Sequence, residues 1–73
     1  MTYILRPGDR VHVTVNAAML GYQPGDKGTV LIGPILRKDG GEPFYIVAMD
    51  KKSTYRNDTS NTIFCASEIE LDI

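Results

Sequence analysis

Pro7-Gly8-Asp9-Arg10-Val11-His12-Val13 and Pro24-Gly25-Asp26-Lys27-Gly28-Thr29-Val30 repeat one pattern, Pro-Gly-Asp-(Arg/Lys)-x-x-Val. Proline at the second position of a type II turn presets φ, and glycine at the third takes a positive φ without a Cβ clash. Each copy therefore reads as a turn that launches a strand, with its Asp and basic residue expected to face water as pairing begins.

Working outward, residues 10–15 alternate strictly, which assigns Val11, Val13 and Val15 to a core face and Arg10, His12 and Thr14 to the outside. Asn16-Ala17-Ala18-Met19-Leu20-Gly21 carries an N-cap residue and a terminal glycine, enough for one helical turn and too short for more. Residues 16–26 are thus expected to fold over as a loop with Met19, Leu20 or Tyr22 beneath it. A second strand is predicted over residues 27–36, with Gly28 as a bulge or close-approach point and Gly33-Pro34 as a bend. Residues 38–43, with Asp39-Gly40-Gly41, make a hairpin loop, and Phe44–Met49 follows as strand three. After the polar tract 50–61, Thr62–Cys65 is strand four and Ala66–Glu68 a tight turn. Ile69, Leu71 and Ile73 then alternate with Glu68, Glu70 and Asp72 as strand five, charged on its outer face.

Five short strands separated by turns predict an all-β chain, a single small five-stranded barrel over residues 1–73. Gly8-Asp9-Arg10-Val11-His12-Val13, Gly25-Asp26-Lys27-Gly28-Thr29-Val30 and Ala66-Ser67-Glu68-Ile69-Glu70 together resemble the Src-homology-3-like (SH3-like) barrel. Phrases like these recur in KOW-type ribosomal and transcription factors, and in the small barrel subunits of ferredoxin–thioredoxin reductase, photosystem I and nitrile hydratase. The resemblance implies a fold and leaves function open. The chain departs from the peptide-binding members in having no Trp to floor a groove for Pro-rich ligands. It departs from KOW elements in the distance of Lys27-Gly28 from the first strand, and from type II dihydrofolate reductases in lacking their Val-Gln-Ile-Tyr stretch.

A chain of 73 residues holds one thin core. Cys65 is the only cysteine and His12 the only histidine, which excludes an internal disulfide and argues against a zinc site. Eight basic and nine acidic residues supply no global field for nucleic acid or an anionic membrane. Arg6-Pro7 interrupts the first apolar residues too early for a signal-peptide core, so the expected setting is cytoplasmic and no membrane span is expected. No cofactor is implied.

Strands two and three carry apolar residues at both parities, where a half-exposed antiparallel strand alternates with polar ones. With Val30, Ile32, Tyr45, Val47 and Met49 directed inward, Leu31, Phe44 and Ile46 are left outside as a candidate face for a protein partner or a second copy. The plain alternative is that bent barrel strands bury both faces in part. Lys51, Lys52, Tyr55 and Arg56 form a second candidate, since charge for phosphate and a ring for stacking are the ingredients of RNA or single-stranded DNA contact. A solvated hairpin tip accounts for the same residues. His12 lacks any nucleophile context, Cys65 reads as a small buried thiol, and Glu68, Glu70 and Asp72 as a charged edge. Asn57-Asp58-Thr59 matches a glycosylation acceptor by chance. The sequence thus predicts a non-catalytic interaction or accessory module. A nucleic-acid-binding barrel is the alternative, and a catalytic site assembled across subunits a third reading.

Overall fold

The two Pro-Gly-Asp turns fold alike because their residues demand it. The computed structural model describes residues 4–54 and 61–72. In it Gly8 and Gly25 both sit at φ +94°, where an L side chain is strained. Asp9 N–H donates to the Arg6 carbonyl at 3.0 Å, and Asp26 N–H to that of Gln23 at 3.1 Å. The aspartates do more than face water. Each is half-buried, and each carboxylate accepts the first N–H of its own turn, Arg6 N–H at 2.9 Å and Gln23 N–H at 2.9 Å. An Asp three residues along from a turn's first N–H has the reach to close it, so the pattern specifies its own turn.

The copies then pair with one another. Strand β1 (Arg10–Val13) and strand β2 (Lys27–Ile35) run antiparallel with Val11 opposite Gly28. Gly8 N–H donates to the Val30 carbonyl at 2.7 Å, and Gly25 N–H to the Val13 carbonyl at 2.7 Å. Val30 N–H returns a bond to the Asp9 carbonyl at 2.9 Å, and Val13 N–H to that of Asp26 at 2.8 Å. The repeat is thus a local pseudo-two-fold about the Val11–Gly28 pair. The symmetry breaks at Gly28, whose surroundings differ from those of its counterpart Val11. A Cβ on Gly28 would lie 2.8 Å from the Ala48 carbonyl oxygen and 2.8 Å from Val47 Cγ1, hence the glycine there.

Strand β3 (Phe44–Met49) pairs with β2, β4 (Thr62–Cys65) pairs with β3, and β5 (Ile69–Leu71) pairs with β1. All pairs are antiparallel, in the order β4-β3-β2-β1-β5. Two short 3₁₀ turns complete the fold, η1 (Ala18–Leu20) after β1 and η2 (Ala66–Glu68) between β4 and β5. The inner face buries Leu5, Val11, Val13, Val30, Tyr45, Val47, Met49, Phe64 and Ile69.

Three further expectations need correcting. Strand β1 ends at Val13, and Val15 is exposed: beyond Val13, Thr14 N–H bonds the Glu68 carbonyl (2.9 Å) as the chain leaves the ladder. The loop over residues 16–26 folds over as expected, and of its three candidates Tyr22 is the one fully buried beneath it, tilted against the Phe64 ring at 6.2 Å, while Leu20 is half-buried and Met19 is 90% exposed. Glu68 does not continue the strand-five face but turns back within η2 to accept Cys65 N–H at 2.6 Å. Ile32 does not point inward. The β2–β3 register shifts between Val30 and Ile32 and again between Ile32 and Ile35, each shift adding a residue to β2, and a one-residue slip reverses the face of everything after it. The second irregularity holds the cis Gly33-Pro34 peptide, with Gly33 at φ +141° so close to Tyr45 that any Cβ would overlap its ring. Ile73 and the glycosylation match lie outside the described residues.

Candidate interaction surface

Cross-strand pairing sorts the outward side chains into rows. Ile32 opposes Ile46, and Ile46 opposes Ile63, so three isoleucines cross β2, β3 and β4 in line. Ile35, Phe44 and Cys65 form the next row, and Thr29 and Ala48 the row on the other side. Ile32 and Ile63 stand 52% and 57% exposed, with Ile46 half-buried between them. Leu31, on the bulge, is 42% exposed, and Leu36 beyond the strand end is 78% exposed. Neither the Ile32–Ile46–Ile63 row nor the Ile35–Phe44–Cys65 row holds a charged residue, whereas the Thr29–Ala48 row runs on to Arg10.

Of the three residues read from sequence, Leu31 is exposed while Phe44 and Ile46 are half-buried at the centre of the rows. The most exposed members, Ile32 and Ile63, escaped that reading. Ile63 was legible in principle, because Thr62 and Phe64 share the opposite parity and Phe64 is fully buried. Ile32 was not, since nothing local announces the bulge that turns it outward.

The rest of the same face is charged and internally paired. The Arg10 guanidinium bonds Thr29 Oγ1 at 2.9 Å and both oxygens of Asp50. Bonding to Asp50 raises the Arg10 pKa, and bonding to Arg10 holds the Asp50 carboxyl below its ordinary value. His12, half-buried, has Glu70 Oε1 at 3.0 Å from Nε2 and Asp72 Oδ1 at 3.2 Å from Nδ1, which ties β1 to the β5 end. Lys27 Nζ reaches Asp72 at 3.2 Å, and that bond lowers the Asp72 pKa more than His12 does. The acidic series is therefore engaged with three different partners, and no group of three metal-ligating side chains converges among the described residues. Cys65 is half-buried, its thiol pKa raised by burial and then by Glu68 and Glu42, which works against a reactive thiolate.

Of the nucleic-acid candidates, Lys51 and Lys52 are exposed, and Lys51 Nζ pairs with Asp26 at 3.2 Å. Tyr55 and Arg56 lie outside the described residues. A groove of about 600 Å3 opens between Leu5, Tyr45, Ile69 and Leu71. Its rim carboxylate, Glu42, is held by Ser67 N–H at 2.7 Å, which lowers its pKa. Among the described residues no helix is long and apolar enough to cross a membrane. Comparison of the chain with family models, curated proteins and solved structures finds no match.

Proposed function

We propose that the chain is a non-catalytic protein-interaction module that docks through the outer face of β2, β3 and β4. The observation that carries this reading is the uncharged row Ile32–Ile46–Ile63, exposed on a sheet whose other half answers its own charges. Contiguous exposed apolar patches mark the surfaces on which partners dock. Isolated apolar residues would not, but these are in register across three strands.

The same proposal has the sheet curl into an SH3-like barrel. Its two outermost strands, β4 and β5, are consecutive in the chain and joined by only the three residues of η2. Thr14 N–H to the Glu68 carbonyl and Ala66 N–H to the Pro43 carbonyl, both at 2.9 Å, draw this turn toward β1 and β3. The short connection and these two bonds support a curl in which the two free edges approach one another, which is how a small sheet removes them.

The test is a pull-down from the native lysate, in parallel with and without nuclease, run side by side with wild type, Ile63→Lys and a Lys51→Ala/Lys52→Ala variant. Stoichiometric capture of a protein by wild type and the double alanine variant, lost with Ile63→Lys, supports the reading. Capture that survives Ile63→Lys, or a signal that nuclease removes, overturns it.

A further inference from the structure

We propose that the groove beside β5 is a binding site separate from the outer apolar face, and that it takes an extended peptide segment of another protein, basic at one flank, as a strand added to β5. The registers place free backbone groups there. Asp72 N–H bonds the Arg10 carbonyl at 2.8 Å and Thr14 N–H the Glu68 carbonyl at 2.9 Å, so residues 68, 70 and 72 direct their backbone groups to β1. In an antiparallel ladder the alternate residues direct theirs the other way, and β5 is the last strand of the sheet. The Leu71 N–H and the carbonyls of Ile69 and Leu71 therefore point away from β1, where no strand among the described residues meets them. Glu70 ties this edge to the groove. It lines the groove although its carboxylate lies on the outer face, 3.0 Å from His12 Nε2, which leaves its main chain to border the opening. A free edge of this kind is a template for strand addition.

Two side chains say what the segment carries. Tyr45 lines the groove and is 2% exposed, and its hydroxyl makes no hydrogen bond among the described residues. Every fully buried side-chain oxygen and nitrogen among those residues has a partner, so the Tyr45 hydroxyl keeps contact with the open space of the groove. Around it the walls are apolar, formed by Leu5, Pro43, Ile69 and Leu71. A hydroxyl in such surroundings is costly to leave without a partner once water is displaced, and it calls for an inserted side chain with an apolar stem and one polar atom.

Glu42 supplies the second requirement. It stands exposed at the rim, where Ser67 N–H donates to its carboxylate at 2.7 Å. Arg37, whose charge acts on Glu42, is already paired with Asp39 at 2.8 Å. The groove lining thus holds acid and no base among the described residues, which complements a Lys or Arg on the segment. Its volume of about 600 Å3 is that of a binding cleft.

The experiment is selection of short random linear peptides, displayed on phage, against the purified protein. The enriched peptides are then synthesised and titrated by fluorescence anisotropy against wild type, Glu42→Lys, Tyr45→Phe and Ile63→Lys, with circular dichroism and urea unfolding confirming that each variant is folded. Enriched peptides are expected to carry a Lys or Arg beside alternating apolar positions. Glu42→Lys is expected to weaken their binding at least about tenfold, and Tyr45→Phe about three- to tenfold. N-methylation of one alternate set of peptide amides is expected to abolish binding and that of the other set to spare it, because only one set faces the β5 edge. Should Glu42→Lys fail to fold, Glu42→Gln makes the same test with a smaller loss. Failure to enrich any peptide overturns the site. Binding that both groove variants keep overturns it too, and where Ile63→Lys removes that binding the peptide belongs to the outer face. Equal loss, or no loss, on methylation of the two sets overturns the added strand.

Discussion

One side of the sheet is saturated and the other is not, although they share a single continuous face. On β1, β5 and the start of β2, Arg10 answers Asp50, His12 answers Glu70 and Asp72, and Lys27 answers Asp72. On β3, β4 and the far part of β2, Ile32, Ile46 and Ile63 line up and meet no charge. The difference teaches where a partner can be accommodated. Paired surface charges lose little by staying in water and much by being desolvated, while exposed aliphatic rows gain from any apolar cover.

The largest effect comes from testing the inner and outer sides of one strand on the apolar half. Phe64→Ala removes a fully buried ring tilted against Tyr22 and is expected to cost about 3–5 kcal/mol. Ile63→Ser, the preceding residue, is expected to change stability by less than about 1 kcal/mol. Urea unfolding of both checks this, and comparable losses would show that β4 has no free face.

Acid distinguishes the halves next. Asp50 and Asp72 have carboxyl pKa values lowered from the ordinary 3.8, through Arg10 and Lys27 respectively. The unfolded chain therefore takes up protons before the folded one. Their stabilisation is full above the ordinary value and drains away as pH falls below about 4, through the lowered folded values. The urea midpoint of wild type is expected to drop in that window, and that of an Asp50→Asn/Asp72→Asn variant to drop less. Ile32→Ser is expected to keep the full wild-type drop, because it touches only the apolar half.

Salt gives the smallest effect. Raising sodium chloride to about 0.5 M screens exposed pairs such as Arg10–Asp50 and Lys27–Asp72, which is expected to lower the urea midpoint slightly. Arg10→Met is expected to lose that sensitivity in part, while an Ile63→Ser variant retains it. Equal salt dependence in both would erase the distinction between the halves.

Local residue chemistry by itself determined the turns and most of the strands. A Pro-Gly-Asp step carries its own φ preference and its own capping carboxylate, so both turns were legible. Phe44–Met49, Thr62–Cys65 and the Ala66–Glu68 turn were also bounded correctly, because alternation and turn residues act over a few positions. Only the tertiary structure decided which apolar residues face out. Leu31 and Ile32 are both exposed because β2 takes an extra residue against β3, a property of the pairing and of no residue within β2 alone. The row Ile32–Ile46–Ile63 exists only once three strands are in register, and among Met19, Leu20 and Tyr22 it is Tyr22 that is fully buried, where it packs against the distant Phe64 ring. Turn chemistry is local and can be read from neighbours in sequence. The sidedness of a bulged strand and the continuity of a surface row are set by partners far along the chain.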